Sequence, residues 1–225
     1  MKTVVIAGSE GIVGSELCKY FQQNSKVLRL DIQLGHDLTN EKFVKHWFKT
    51  NRANHLINCF AINDHVDKCK KKQYTLFDFP LKSFSKYLDV NLTALFSVCR
   101  EFARNNVDST IVNFSSTYGM LSPHPELYNG FHKDIAYGVS KAGVINLTRY
   151  LAAHLSPNVR INCVVPGGIL HNQEKKFVRK YSKLTPLKRM MNVKELNSII
   201  DYLSSNKSSY VTGAIFVIDG GYTIW

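Results

Sequence analysis

No apolar run in this 225-residue chain approaches the length needed to cross a bilayer. The opening MKTVVIAGSE breaks off far too soon for the core of a secretory signal. None of the five cysteines, at 18, 59, 69, 99 and 163, forms a C-x-x-C pair, and an odd, scattered set argues against a disulfide framework or a zinc site and fits reduced thiols. Zinc-finger spacing, an RNP motif and a basic region leading into heptads are also missing, which removes the usual routes to nucleic acid. No repeat, low-complexity tract or Pro/Gly/Ser linker marks a boundary. These absences predict a soluble, cytoplasmic protein with a single domain over 1–225, no membrane partner, no metal, and nucleic acid at most a minor partner.

What is present is a globular composition, 44% hydrophobic, with 29 Lys+Arg against 17 Asp+Glu and a formal net charge of +12. The lysines come with many asparagines, so part of this excess is compositional. Locally it is dense in DKCKKKQ (67–73) and again between Glu174 and Arg189. Short β-branched apolar runs at 3–8, 26–31, 55–60, 109–116, 160–167 and 214–219 alternate with amphipathic stretches at 12–23, 40–50, 83–105, 137–155 and 193–204. That alternation predicts an α/β fold, a Rossmann-like doubly wound parallel sheet covered by helices on both faces.

The first run passes into its helix through VVIAGSEGIVGSEL, with Gly8, Gly11 and Gly14 at the turn. Glycines there permit a tight turn and a close backbone approach to a pyrophosphate, and the helix N-terminus adds unpaired donors and a positive dipole end. The spacing G-x-x-G-x-x-G is a variant of the dinucleotide fingerprint. Asp31 ends the second run, where an acid accepts from the adenosine ribose hydroxyls and repels a 2′-phosphate. Glu10 adds negative charge nearby, so NAD is expected over NADP, with Arg29 the one opposing sign. Asp37 is placed either to accept from the adenine amine or to cap the next helix.

Further along, LDVNLTALF puts Asn91 inside a helical stretch, a poor choice unless its amide is used. IVNFSSTYG ends a strand on Ser115 and Ser116, YGVSKAG sets Tyr137 and Lys141 on one helix face, and NCVVPGGI ends a strand on Pro166-Gly167. Carboxyl ends of parallel strands are where open α/β sheets bind ligands.

In that order the chain resembles the short-chain dehydrogenase/reductase family over nearly its whole length. The resemblance implies an NAD-dependent oxidoreductase that passes a hydride between the cofactor and a secondary alcohol or ketone. It implies Tyr137 as general acid/base, Lys141 holding the nicotinamide ribose and lowering the phenol pKa, Ser116 holding the substrate oxygen, and Asn91 anchoring a water in a proton relay. A free phenol titrates near 10, and a nearby ammonium and an oxidised nicotinamide would both favour phenolate. The expected cofactor contacts run through Gly8, Ser9, Glu10, Gly11, Ile12 and Gly14, then Asp31, Asp37 and Leu38, then Asn58, Cys59, Phe60 and Ala61. Tyr137, Lys141, Pro166, Gly167 and Ile169 complete them.

Several positions depart from the family pattern. The glycine spacing resembles the extended, sugar-nucleotide branch, yet the chain stops soon after DGG. The usual Asn-Asn-Ala-Gly reads Asn58-Cys59-Phe60-Ala61, and a threonine near the nicotinamide amide is replaced by His171. Ser116 and Tyr137 stand 21 residues apart. The extra MLSPHPELYNGFHKD is expected to loop over the crevice, its two prolines keeping it from helix. With FDFPLKSF it resembles a subgroup tied to bacterial surface-sugar and nonulosonate-type pathways. From His171 to Arg189 seven basic residues face Glu174 alone, a net +6. This predicts a lid that draws an anionic substrate, a sugar or sugar nucleotide, with His171, Arg179, Ser116 and Tyr137 as contacts. Relatives pair through the helices matching 83–105 and 137–155, so a homodimer or homotetramer is expected, with Phe96, Phe102, Leu147 and Leu151 exposed for it. Two alternatives are an NAD(H)-sensing binding protein with a basic partner surface and a sugar epimerase or dehydratase with tightly bound NAD.

Overall fold

The computed structural model describes residues 1–63, 76–128 and 132–225. The basic stretch at 67–73, with Cys69, lies outside the described residues.

Six parallel strands, β1 (Lys2–Ala7), β2 (Ser25–Leu30), β3 (His55–Asn58), β4 (Ser109–Phe114), β5 (Val159–Pro166) and β6 (Ile215–Ile218), form one sheet in the order β2-β1-β3-β4-β5-β6. The chain leaves β1 on one side for β2 and returns to its other side for β3, so the sheet switches direction between β1 and β3. The alternation of apolar residues along each strand decides the layers. Val4 and Ile6 join one core with Leu17 and Phe21 of α1 (Ile12–Phe21) and Ile200 and Leu203 of α7 (Asn197–Leu203). Val5 and Ala7 join the other, under α2 (Glu41–Thr50), α4 (Ala94–Asn105) and α5 (Ile135–Leu155). The Rossmann-like sheet expected from the sequence is the one observed. Among the described residues no helix is long and apolar enough to cross a membrane.

The helix expected over 83–105 is α3 (Leu81–Leu88) and α4 joined by one π-helical turn, Asp89–Thr93. Such widened turns recur at functional sites, and this one carries Asn91. The basic segment after β5, read as a lid and outside the helical stretches expected from sequence, contains a helix, α6 (Lys175–Leu184). The 118–136 insertion is not all loop either: Pro125 opens a 3-10 turn, Pro125–Tyr128, since proline is tolerated where its missing N–H is unneeded. Phe102 and Leu151, expected on an assembly face, are core residues. Phe102 packs edge-on against Phe48 of α2, with centroids 5.8 Å apart. The sheet and α2 cover more of α4 and α5 than the sequence pattern indicated, leaving Phe96 exposed and Leu147 half-buried.

Candidate active site

The turn after β1 is built by glycine. Gly8 lies at φ +83°, and a Cβ there would meet the Phe60 backbone nitrogen at 2.5 Å. A Cβ on Gly14 would sit 2.0 Å from the Gly8 carbonyl oxygen, so only glycine lets α1 start against the loop. Gly11 is less constrained, its nearest neighbour 3.4 Å away. It is the N-cap of α1, with no side chain capping the helix. Ile12 follows, exposed. A backbone cradle that a Cβ would fill, facing helix donors that no side chain caps, fits a dinucleotide pyrophosphate.

At the end of β2 the buried Asp31 carboxylate accepts from the backbone N–H of Glu10 (3.0 Å) and of Gln33 (2.9 Å), tying the glycine loop to this strand. Glu10 does not stand as an open negative charge. Its Oε1 accepts from Ser9 Oγ at 2.9 Å and pairs with Arg29 at 2.7 Å. Asp37 makes a local turn, accepting from the backbone N–H and hydroxyl of Thr39, and Asn40 caps α2. Leu38 packs in the core beside α2.

Phe60 turns its ring onto the same core, while its backbone nitrogen remains the close neighbour of Gly8. The phenylalanine is therefore accommodated without opening the turn. Asn58 donates to Asn113 Oδ1 at 2.9 Å; Cys59 is half-buried and Ala61 exposed. Asn91 of the π turn clasps the next residue through both amide ends: it accepts from Ile62 N–H (2.8 Å) and donates to the Ile62 carbonyl (3.0 Å). It also donates to Ser140 Oγ (3.1 Å), which in turn donates to the Tyr137 carbonyl (2.8 Å).

Asp134 caps α5 through the Ala136 N–H (2.8 Å), and one turn in, Tyr137 and Lys141 are both buried at the carboxyl end of β4. The Ser116 hydroxyl lies near enough to the Tyr137 phenol to act on its ionisation, and it accepts from the Tyr118 N–H at 3.2 Å. Burial pushes that phenol up, against the pull of Ser116. The downward shift expected from Lys141 is not observed, because its Nζ stands 6.0 Å from the ring centroid and donates to the Phe114 carbonyl at 2.8 Å. Burial also pushes Lys141 itself down, to about 8. The thiols near it are no counter-charge: burial drives Cys163 up to about 11 and Cys59 further.

Two groups at this site were missed from sequence. Ser115 Oγ donates to the Lys141 carbonyl at 2.7 Å, anchoring the helix turn on the strand end. Lys133 sets its ammonium 5.0 Å from the Tyr137 centroid and donates to Asn63. The spacing K-x-x-x-Y-x-x-x-K was the available signal for it.

On the substrate side, Pro166 closes β5 against Ile218, and the Gly167 N–H donates to the Ile218 carbonyl. The Gly168 N–H donates to the buried Tyr181 phenol of α6 at 2.6 Å, and Ile169 bridges to Met191. Tyr181 stacks on Tyr222 (4.7 Å, 3°), and Tyr118 and Tyr128 share a hydroxyl bond of 2.7 Å. With Leu127, these rings pack the insertion against α6. His171 is exposed and its ring meets Asn172 (3.2 Å); Arg179 is exposed on α6. The charge of Arg189 is matched by a two-point pair with Glu195 at 2.6 and 2.7 Å.

A family model described as enoyl-(acyl carrier protein) reductase matches residues 13–223. The chain is similar to the post-translational flagellin modification protein A of Campylobacter coli, 28% identical over 98% of each chain. It is 32% identical to the ribulose-forming D-arabinitol 2-dehydrogenase of Candida albicans, over 73% of this chain and 64% of that one. A short-chain dehydrogenase from Leptospira borgpetersenii, solved with bound NAD+, superposes with a TM-score of 0.87 at 31% identity, covering 99% of this chain and 92% of that one.

Proposed function

The chain belongs to the short-chain dehydrogenase/reductase family of nicotinamide-dependent oxidoreductases, and from that premise we propose that it uses NAD to interconvert a secondary alcohol and a ketone on an anionic sugar or sugar nucleotide, with Tyr137, Lys141, Ser116 and Asn91 as its working set. The reading is carried by Tyr137 and Lys141, buried together one helical turn apart at the end of β4, with the Ser116 hydroxyl acting on the phenol. The nicotinamide, when bound, supplies or accepts the hydride.

Tyr137 gives its phenolic proton to the carbonyl oxygen in reduction and takes it back in oxidation, while the Ser116 hydroxyl holds that oxygen. The buried Lys141 ammonium, one turn further along α5, would hold the nicotinamide ribose. Asn91 acts as a positioning residue, fixing the loop after β3 and, through Ser140, the backbone of Tyr137. Gly8, Gly14 and the start of α1 would hold the pyrophosphate, Asp31 the adenosine ribose, and Pro166, Gly167 and Ile169 the nicotinamide end.

Similarity to a flagellin-modification protein and an arabinitol dehydrogenase supports a sugar, and the basic face of α6 supports an anionic one. The comparisons favour neither a cofactor sensor nor a sugar epimerase or dehydratase. We further infer one domain over 1–225, a cytoplasmic location, and a two-fold dimer or tetramer through α4 and α5. Phe96 and the exposed Val139 and Tyr150 would lie at that interface. Light scattering showing only monomer at micromolar concentration would overturn the assembly. The chemistry is tested by following NADH absorbance across aldonates, alditols and sugar nucleotides. Tyr137→Phe is expected to abolish turnover while NADH binding measured by calorimetry stays within twofold. Substantial residual turnover would refute the role of the phenol.

A further inference from the structure

Three charged residues come together where β2 ends and the glycine loop passes over it. Asp31 is buried and fixed by two backbone donors. Arg29 lies two residues earlier on an extended strand, so both side chains leave the same face of the sheet. Glu10 comes from the loop and is held on Arg29 at 2.7 Å, with Ser9 Oγ on the same carboxylate oxygen at 2.9 Å. The pair is not pure surface, since Glu10 is 22% and Arg29 41% exposed. Both charges also act on the Cys18 thiol of α1, which burial pushes up, Arg29 pulls down and Glu10 pushes up again.

In dinucleotide sites an acid at this strand end serves the free ribose 2′-hydroxyl, and an arginine nearby serves a 2′-phosphate. This chain carries both. We propose that Glu10 masks Arg29, and that this ion pair, added to Asp31, sets the choice between NAD and NADP. The inference rests on the cofactor reading above and gives the part in it to the Glu10–Arg29 pair rather than to the Glu10 charge alone. Paired, Arg29 offers a phosphate neither its charge nor the guanidinium edge that Glu10 occupies. The three side chains then sum to one negative charge. Without the Glu10 carboxylate they sum to zero, and Arg29 becomes a two-point phosphate ligand. Glu10→Gln leaves the backbone N–H that holds Asp31, so the loop tie survives the substitution.

The experiment is calorimetric titration of NAD and NADP against wild type, Glu10→Gln, Arg29→Met and the double variant, at one fixed salt concentration. Wild type is expected to prefer NAD. Glu10→Gln is expected to lower the NADP-to-NAD ratio of dissociation constants about tenfold, mostly through tighter NADP, and adding Arg29→Met should return the ratio to the wild-type value. A ratio that moves less than threefold in Glu10→Gln overturns the proposal. So does a gain that persists in the double variant, or a collapse of NAD affinity in Glu10→Gln. If wild type binds neither dinucleotide at millimolar concentration, the cofactor reading itself falls, and the proposal falls with it.

Discussion

Replacing Lys141 by methionine should make this protein more stable at neutral pH. The ammonium is almost wholly buried, with a carbonyl and two neutral thiols for neighbours. Burial holds it at about 8 against its ordinary 10.5. A group that ionises less readily folded than unfolded costs stability wherever the unfolded chain is protonated. At pH 7 that cost is about 3 kcal/mol. It is fully present below pH 8. Between pH 8 and 10.5 the unfolded chain keeps a proton that the folded one sheds, so wild-type stability rises, and by pH 10 the cost is under about 1 kcal/mol.

Methionine fills a similar volume without the charge but leaves the Phe114 carbonyl without its donor, a loss of about 1–2 kcal/mol. The net gain at pH 7 is therefore about 1–2 kcal/mol. In thermal denaturation of a chain this long, that is a rise in Tm of about 3–6 °C. At pH 10 the gain should vanish or reverse. Turnover should be lost at every pH, so the lysine would be kept at a stability cost for its chemistry. A variant no more stable at pH 7, or one whose advantage persists unchanged at pH 10, would refute this reasoning.

Gly14→Ala should cost about 3 kcal/mol or more in denaturant unfolding and abolish NADH binding, because its Cβ would lie 2.0 Å from the Gly8 carbonyl oxygen. Gly11→Ala, with 3.4 Å of clearance, should stay within about 1 kcal/mol of wild type. Tyr118→Phe and Tyr128→Phe should each cost about 1 kcal/mol, and the double variant little more, since both remove one shared bond; additive losses would show that the hydroxyls act separately. Reversing Lys176, Arg179 and Lys183 to glutamate should raise KM for an anionic substrate far more than it lowers kcat, and should blunt the salt dependence of kcat/KM. A preferred substrate that is neutral, or kinetics indifferent to salt and to the reversals, would contradict the anionic reading. Lys180 is left out of that set because it donates to the Glu126 carbonyl and helps hold the insertion.

The layered sheet was legible in the sequence because a strand's period of two sorts residues by face without reference to anything distant: Val4 and Ile6 to one core, Val5 and Ala7 to the other. The glycine turn and the Tyr137–Lys141 spacing were legible for the same reason, since each depends on local backbone geometry. Helix α6 was readable too, with Phe177, Val178, Tyr181 and Leu184 at helical spacing, but its many lysines drew attention to charge instead. Other features needed the tertiary structure, because they depend on what lies across space. Nothing near Arg29 in sequence reveals that Glu10, 19 positions earlier, neutralises it. Nothing within α4 or α5 tells which apolar residues α2 and the sheet will cover, so Phe102 and Leu151 could be placed only once those neighbours were known. The same holds for the Tyr137 phenol: spacing put a cation one turn away, but burial, a property of the whole fold, decided which way its pKa moves.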